Sequence, residues 1–160
     1  MKRVILRGTT TGTMWQQEFI GDLLRAGVRG EQIFYPHLSH GVRYTDEHKK
    51  REIAYKNDPE TLIVVYICPA IIPPGETDPI DRAIRTERID AIAIYEAARY
   101  AYSAPQRTAV VFDYKKFTAH GPSYRILEDL TNELFDTFNG QPPYFPGLNA
   151  VKRWVISQLT

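Results

Sequence analysis

Seven consecutive residues, Thr61-Leu62-Ile63-Val64-Val65-Tyr66-Ile67, constrain this chain more than any other stretch. β-branched and aromatic residues dominate the run, and after Thr61 both alternating sets are apolar. A strand with one wet face alternates apolar and polar side chains. A strand apolar on both faces belongs in the middle of a parallel sheet covered on both sides. Parallel neighbours cannot be joined by tight hairpins, so helical crossovers must separate this strand from its partners.

The flanking sequence supplies those partners. Arg3 to Leu6 reads as a buried first strand ending at Gly8, followed by the hydroxyl-rich loop Gly8-Thr9-Thr10-Thr11-Gly12-Thr13. Met14 to Ala26 has helical spacing, with Trp15, Phe19, Leu23 and Ala26 on one face, Thr13 as N-cap and Gly27 as stop. Gln32 to Tyr35 is a second strand closed by Pro36, and Thr45 to Asn57 a polar helix with an acidic first turn. From Cys68 to about Arg88 the chain is irregular and carries Pro69, Pro73, Pro74 and Pro79. Loops of this length in compact domains are often lids or binding loops. Ile89 to Tyr102 reads as a helix apolar nearly all round, which predicts burial on every side. Ala109 to Phe112 is a fourth strand, Gly121 to Phe138 a helix, Asn139 to Pro146 a turn region and Leu148 to Leu159 a closing helix.

Alternation of this kind predicts a single α/β domain over residues 1–160, with a central parallel sheet of four to five strands and right-handed crossovers. Ligands of such sheets bind beyond the carboxyl ends of the strands, where the strand order reverses. Candidate walls of that cleft are Gly8 to Thr10 after the first strand, and Tyr66 and Cys68 at the end of the third.

Composition narrows the function. Lys and Arg number 20 against 19 Asp and Glu, a net charge of +1, which points to no polymeric nucleic acid and no membrane surface as partner. No stretch approaches a membrane span or a signal-peptide core, and the lone cysteine, Cys68, permits no internal disulfide; a soluble, cytoplasmic protein is expected. The histidines His37, His40, His48 and His120 lack carboxylates at ligand spacing, so no metal site is expected. The first loop is neither G-x-G-x-x-G nor G-x-x-x-x-G-K-[ST], and no cofactor is expected. Ten tyrosines suit half-buried cleft walls, since each offers a flat apolar face and a hydroxyl.

Two carboxylates carry the chemical question. Glu96 lies inside the apolar run Ala91-Ile92-Ala93-Ile94-Tyr95-Glu96-Ala97-Ala98. A carboxylate there either pairs with Arg99 one turn on or faces a cleft. Asp90 precedes it by six positions. A six-residue step turns a helix by about 240°, so the pair shares no face within one helix and converges only with Asp90 at or before the helix start. The simpler role of Asp90 is to cap that helix.

Taken in order, these pieces resemble the nucleoside 2-deoxyribosyltransferase-like superfamily, which has a flavodoxin-like fold. The resemblance rests on Val4-Ile5-Leu6-Arg7-Gly8-Thr9-Thr10 with Trp15, on Arg51-Glu52-Ile53-Ala54-Tyr55 leading into Leu62 to Tyr66, on Asp90-x5-Glu96-Ala97-Ala98, and on Ala109 to Phe112. It implies a flavodoxin-like three-layer sandwich, with Glu96 as the nucleophile on the anomeric carbon of a nucleoside and Asp90 as the acid that helps hold the sugar. Gly8, Thr9 and Thr10, with Trp15 and Tyr66, are the implied substrate contacts, and a homo-oligomer with shared sites is the implied assembly. The family's first-strand tyrosine is Arg7 here, and its helix-breaking glycine before the glutamate is absent from Asp90-Ala91-Ile92-Ala93. Arg7, Arg82, Arg85 and Arg88 offer cations for a 5′-phosphate. Two functions follow as expectations: a nucleoside or nucleotide deoxyribosyltransferase or N-glycosidase, and a non-catalytic nucleotide-binding or sensing protein on the same fold.

Overall fold

In the computed structural model the described residues are 1–9, 14–35, 45–69, 78–80 and 87–160. Thr10, the expected cap Thr13, His37, His40, Arg82, Arg85 and most of the Pro-rich loop lie outside them. The elements are strand β1 (Arg3–Gly8), helix α1 (Trp15–Arg25), strand β2 (Ile33–Phe34), helix α2 (Asp46–Asn57), strand β3 (Thr61–Ile67), helix α3 (Ala91–Ser103), strand β4 (Thr108–Phe112), helix α4 (Pro122–Phe138) and helix α5 (Leu148–Leu159).

All four strands are parallel, in the order β2-β1-β3-β4. β3 is buried along its whole length, as its two-sided apolar sequence requires. Its alternation divides the core. Leu62, Val64 and Tyr66 join Val4, Leu6, Phe19, Val151 and Val155 on the face covered by α1 and α5. Ile63, Val65 and Ile67 join Ile5, Val110, Ala97 and Leu127 on the face covered by α3 and α4. The result is an α/β three-layer sandwich of flavodoxin-like type. Among the described residues no fifth strand forms. In its place Tyr144 makes an isolated parallel bridge to Val110, whose N–H donates to the Pro143 carbonyl at 2.8 Å. Prolines in this segment cannot donate to a ladder, which limits it to a bridge.

Local chemistry sets the helix ends. Thr45 caps α2, its hydroxyl accepting from the His48 N–H at 3.3 Å. α1 starts after Met14, with no side-chain cap. β2 is shorter than its sequence suggests, because Gln32 belongs to the preceding 3-10 turn. The burial expected all round α3 is the larger error. Ala93, Glu96, Ala97, Tyr100 and Ala101 face inward, but Ile92, Tyr95 and Tyr102 are 67%, 63% and 55% exposed. An apolar helix on the outside of a sandwich still has one face turned away from the sheet.

Candidate functional site

β1 and β3 are neighbours at the point where the strand order reverses, and Gly8 stands opposite Tyr66. Gly8 has φ of +117°, and a Cβ there would meet the Tyr66 carbonyl oxygen at 1.9 Å, so no other residue fits. That contact draws the two following segments together. The Thr9 N–H donates to the Tyr66 carbonyl at 2.9 Å, and the Cys68 N–H donates to Thr9 Oγ1 at 3.1 Å. Trp15 Nε1 donates to the Thr9 carbonyl at 2.7 Å, and its ring meets Tyr66 edge-on at 5.0 Å. Gly8, Thr9, Trp15 and Tyr66 are therefore one buried knot at the carboxyl ends of the central strands.

Asp113 extends that knot to the surface. It is the first residue after β4, and its carboxylate accepts from the Tyr66 hydroxyl at 2.5 Å. Lys116, on the turn after β4, donates to the Tyr66 oxygen at 2.9 Å and lies 3.1 Å from Asp113. Burial first, and the Asp113 hydrogen bond and charge second, hold the Tyr66 phenol far above its usual range. Burial also pushes the Cys68 thiol up to about 11, with the Lys116 charge working against the shift. The sequence reading passed over Asp113 and Lys116. The available signal was position: a carboxylate directly after an apolar strand lies on the cleft side of a parallel sheet.

Glu96 belongs to a second constellation, on the opposite face of the sheet. Arg7, the penultimate residue of β1, grips it with both arms of its guanidinium, Nε to Oε2 at 2.8 Å and Nη2 to Oε1 at 2.9 Å. Lys56 of α2 donates to Glu96 Oε1 at 2.6 Å. Both cations also engage Glu52, Lys56 at 2.5 Å and Arg7 at 3.1 Å. The four side chains are between 9% and 15% exposed, and their two positive and two negative charges cancel. Glu96 thus does not form the local pair with Arg99, whose guanidinium instead lies 5.4 Å from the Tyr100 ring. Glu52 and Lys56 escaped sequence reasoning as site residues. They sit one turn apart on a polar helix, a pattern that normally marks a solvated surface pair.

Asp90 is the N-cap of α3, exposed, with its carboxylate accepting from the N–H groups of Ile92 at 2.9 Å and Ala93 at 3.3 Å. It does stand before the helix start. Its helix nevertheless places Glu96 about 9 Å farther along the axis and about 240° around it. Asp90 is thus exposed at the start of α3, and Glu96 is buried farther along it, between α2, α3 and β1. Arg88 is exposed beside Asp90, while Arg7 is engaged with the two glutamates.

Chemically, the first constellation offers a hydroxyl, a carboxylate and an ammonium in one hydrogen-bonded chain. The second offers a carboxylate whose plane is set by three charge-assisted hydrogen bonds. Among the described residues no three His, Cys, Asp or Glu side chains gather as a metal site, and no helix is long and apolar enough to cross a membrane. No family model matches the chain, and no curated protein or solved structure matches it either.

Proposed function

We propose that this chain cleaves the N-glycosidic bond of a nucleoside or nucleotide, with Glu96 as the attacking carboxylate. In this reading a Glu96 oxygen bonds to the anomeric carbon as the bond to the base breaks. The base leaves with the electron pair and takes up a proton. Attack by a second base on the glycosyl ester gives transfer; attack by water gives hydrolysis. The transition state resembles an oxocarbenium ion, which an adjacent carboxylate stabilises. In this reading Asp90 helps hold the sugar, and Gly8, Thr9 and Thr10 with Trp15 and Tyr66 are the substrate contacts that the family resemblance implies. The protein works without a cofactor, on a small molecule, as a cytoplasmic homo-oligomer.

The observation that supports this reading is the aim of Glu96. It turns away from its own helix's arginine and is oriented by Arg7, on the strand that carries the Gly8–Thr9 segment. The charge balance of the cluster favours a second reading, a nucleotide-binding or sensing protein. Both cations already face carboxylates there, and converting Glu96 to an ester forfeits two of its ion pairs.

Incubation with each deoxynucleoside and its 5′-monophosphate, with chromatography of the free base, separates the two. The catalytic reading expects base release that Glu96→Gln and Glu96→Ala abolish. Release that survives Glu96→Ala removes Glu96 as nucleophile. Saturable binding with no release from any substrate leaves the second reading.

A further inference from the structure

We infer that the outer edge of β4 holds a binding site for a small planar ring with an amide-type edge, a donor and an acceptor side by side. Aromatic carboxamides and amino-heterocycles share that chemistry. The site lies two strands from β1, whose Arg7 holds Glu96, and does not depend on the reaction proposed for that residue.

Strand parity places the polar groups. The Asp113 N–H donates to the Ile67 carbonyl at 2.8 Å, so Ala109 and Val111 also face β3, and Thr108, Val110 and Phe112 turn their N–H and C=O groups to the outer edge. The Thr108 N–H donates to the Pro105 carbonyl and the Val110 N–H to that of Pro143. The rung above would run from the Phe112 N–H to the Phe145 carbonyl and from the Gly147 N–H to the Phe112 carbonyl. Among the described residues neither bond is made, and none of these four groups has another partner. Pro146 stands opposite Phe112 in this register, and Gly147 already caps α5, so the chain leaves the edge before the rung closes. Phe112 is buried, and buried backbone groups are almost always paired.

Phe112, Phe145, Pro146 and Gly147 border one cavity of about 210 Å³ between β4, α4 and the 144–147 turn. That exceeds the ~150 Å³ that takes a benzene and falls below the ~300 Å³ at which sites for drug-sized ligands begin. A single ring with one polar substituent fills it. Tyr144 and Leu134 also line it. Tyr144 packs edge-on against Phe135 at 5.2 Å and Phe145 against Trp154 at 5.1 Å, so both aromatic walls are fixed in advance. The walls select a flat apolar body, and the open rung selects its edge. A strand residue's own N–H and C=O point the same way, and a group that meets both carries an acceptor and a donor one atom apart, as an amide or amidine does. With a single rung open, a peptide has too little edge to add itself as a strand.

The test is a titration of ¹⁵N-labelled protein with benzamide, nicotinamide, adenine and cytosine, read by heteronuclear NMR. At least one probe should bind saturably, tighter than about 1 mM, with the largest shifts at the Phe112 and Gly147 N–H signals. Saturation by the carboxamides or by the bases tells which source of the shared edge the site accepts. N,N-dimethylbenzamide, which lacks the donor, should bind at least about 10-fold more weakly than benzamide where benzamide binds. Thr131 lines the cavity from α4, its hydroxyl bonded to the Leu127 carbonyl of its own helix. Thr131→Phe should fill the space and weaken binding at least about 10-fold, and Thr131→Ser should leave it unchanged. Circular dichroism checks that both variants fold, and the comparison of amides on the wild type needs neither. No saturable shift at Phe112 and Gly147 with any probe overturns the proposal. Equal binding of benzamide and its dimethyl form, or binding indifferent to a folded Thr131→Phe, overturns it as well.

Discussion

Replacing Lys56 with methionine keeps the length and most of the volume of the side chain but removes its charge. Glu52 and Glu96 then share Arg7 as their cation from within this cluster. In the wild type Lys56 Nζ lies 2.6 Å from Glu96 and 2.5 Å from Glu52. At an effective dielectric of about 20, a pair at that separation attracts by roughly 6 kcal/mol. Desolvation of the ammonium offsets much of this. The measurable consequence is the cost of leaving a buried carboxylate under-compensated, about 3–5 kcal/mol. Such a loss is a large fraction of a domain's total stability. Urea unfolding at neutral pH should therefore show a lower midpoint with an unchanged slope. Glu52→Gln in the Lys56→Met background should recover part of the loss, because it removes one of the stranded charges. A Lys56→Met variant within about 1 kcal/mol of wild type would match an exposed surface pair and refute the argument that this cluster is buried and mutually dependent.

Two further outcomes test the knot at the strand ends. Gly8→Ala places a Cβ 1.9 Å from the Tyr66 carbonyl at a left-handed φ, and should cost about 2 kcal/mol or more in the same unfolding experiment; near-neutral stability would refute the close approach. Cys68 should resist iodoacetamide at pH 7–8 in the folded protein, because its thiol is held up to about 11, and labelling followed by mass spectrometry reads this directly. The sign follows from linkage: the thiol is neutral in both states below its ordinary value of about 9, and its contribution to stability is lost as pH rises from there through about 11. Rapid native-state labelling at neutral pH would contradict the burial.

Much of the fold was legible because it depends on local pattern. The two-sided apolar run of β3 runs from Thr61 to Ile67 in both sequence and structure, and its burial on both faces demanded helices above and below. α5 begins and ends at Leu148 and Leu159 as its spacing predicts. The cap of α3 by Asp90 also follows from local chemistry, since a carboxylate at that position reaches the first free N–H groups. The exposed stripe of α3 was not legible. An amphipathic helix announces its wet face with charges, whereas Ile92, Tyr95 and Tyr102 carry none.

The candidate site divides along the same line. Sequence by itself determined the parallel sheet, the order of helices and strands, and the placing of Gly8, Thr9 and Tyr66 at strand ends, because period and turn chemistry act over a few residues. Only the tertiary structure decided what surrounds Glu96. Its partners come from β1 and α2, 89 and 40 positions away, and α3 merely presents it to them. Charge pairing in a buried layer depends on which helices share a sheet face and at what depth, and no local pattern records that. The same holds for Asp113, which becomes a neighbour of Tyr66 only because β3 and β4 lie side by side, in register, at the same edge of the sheet.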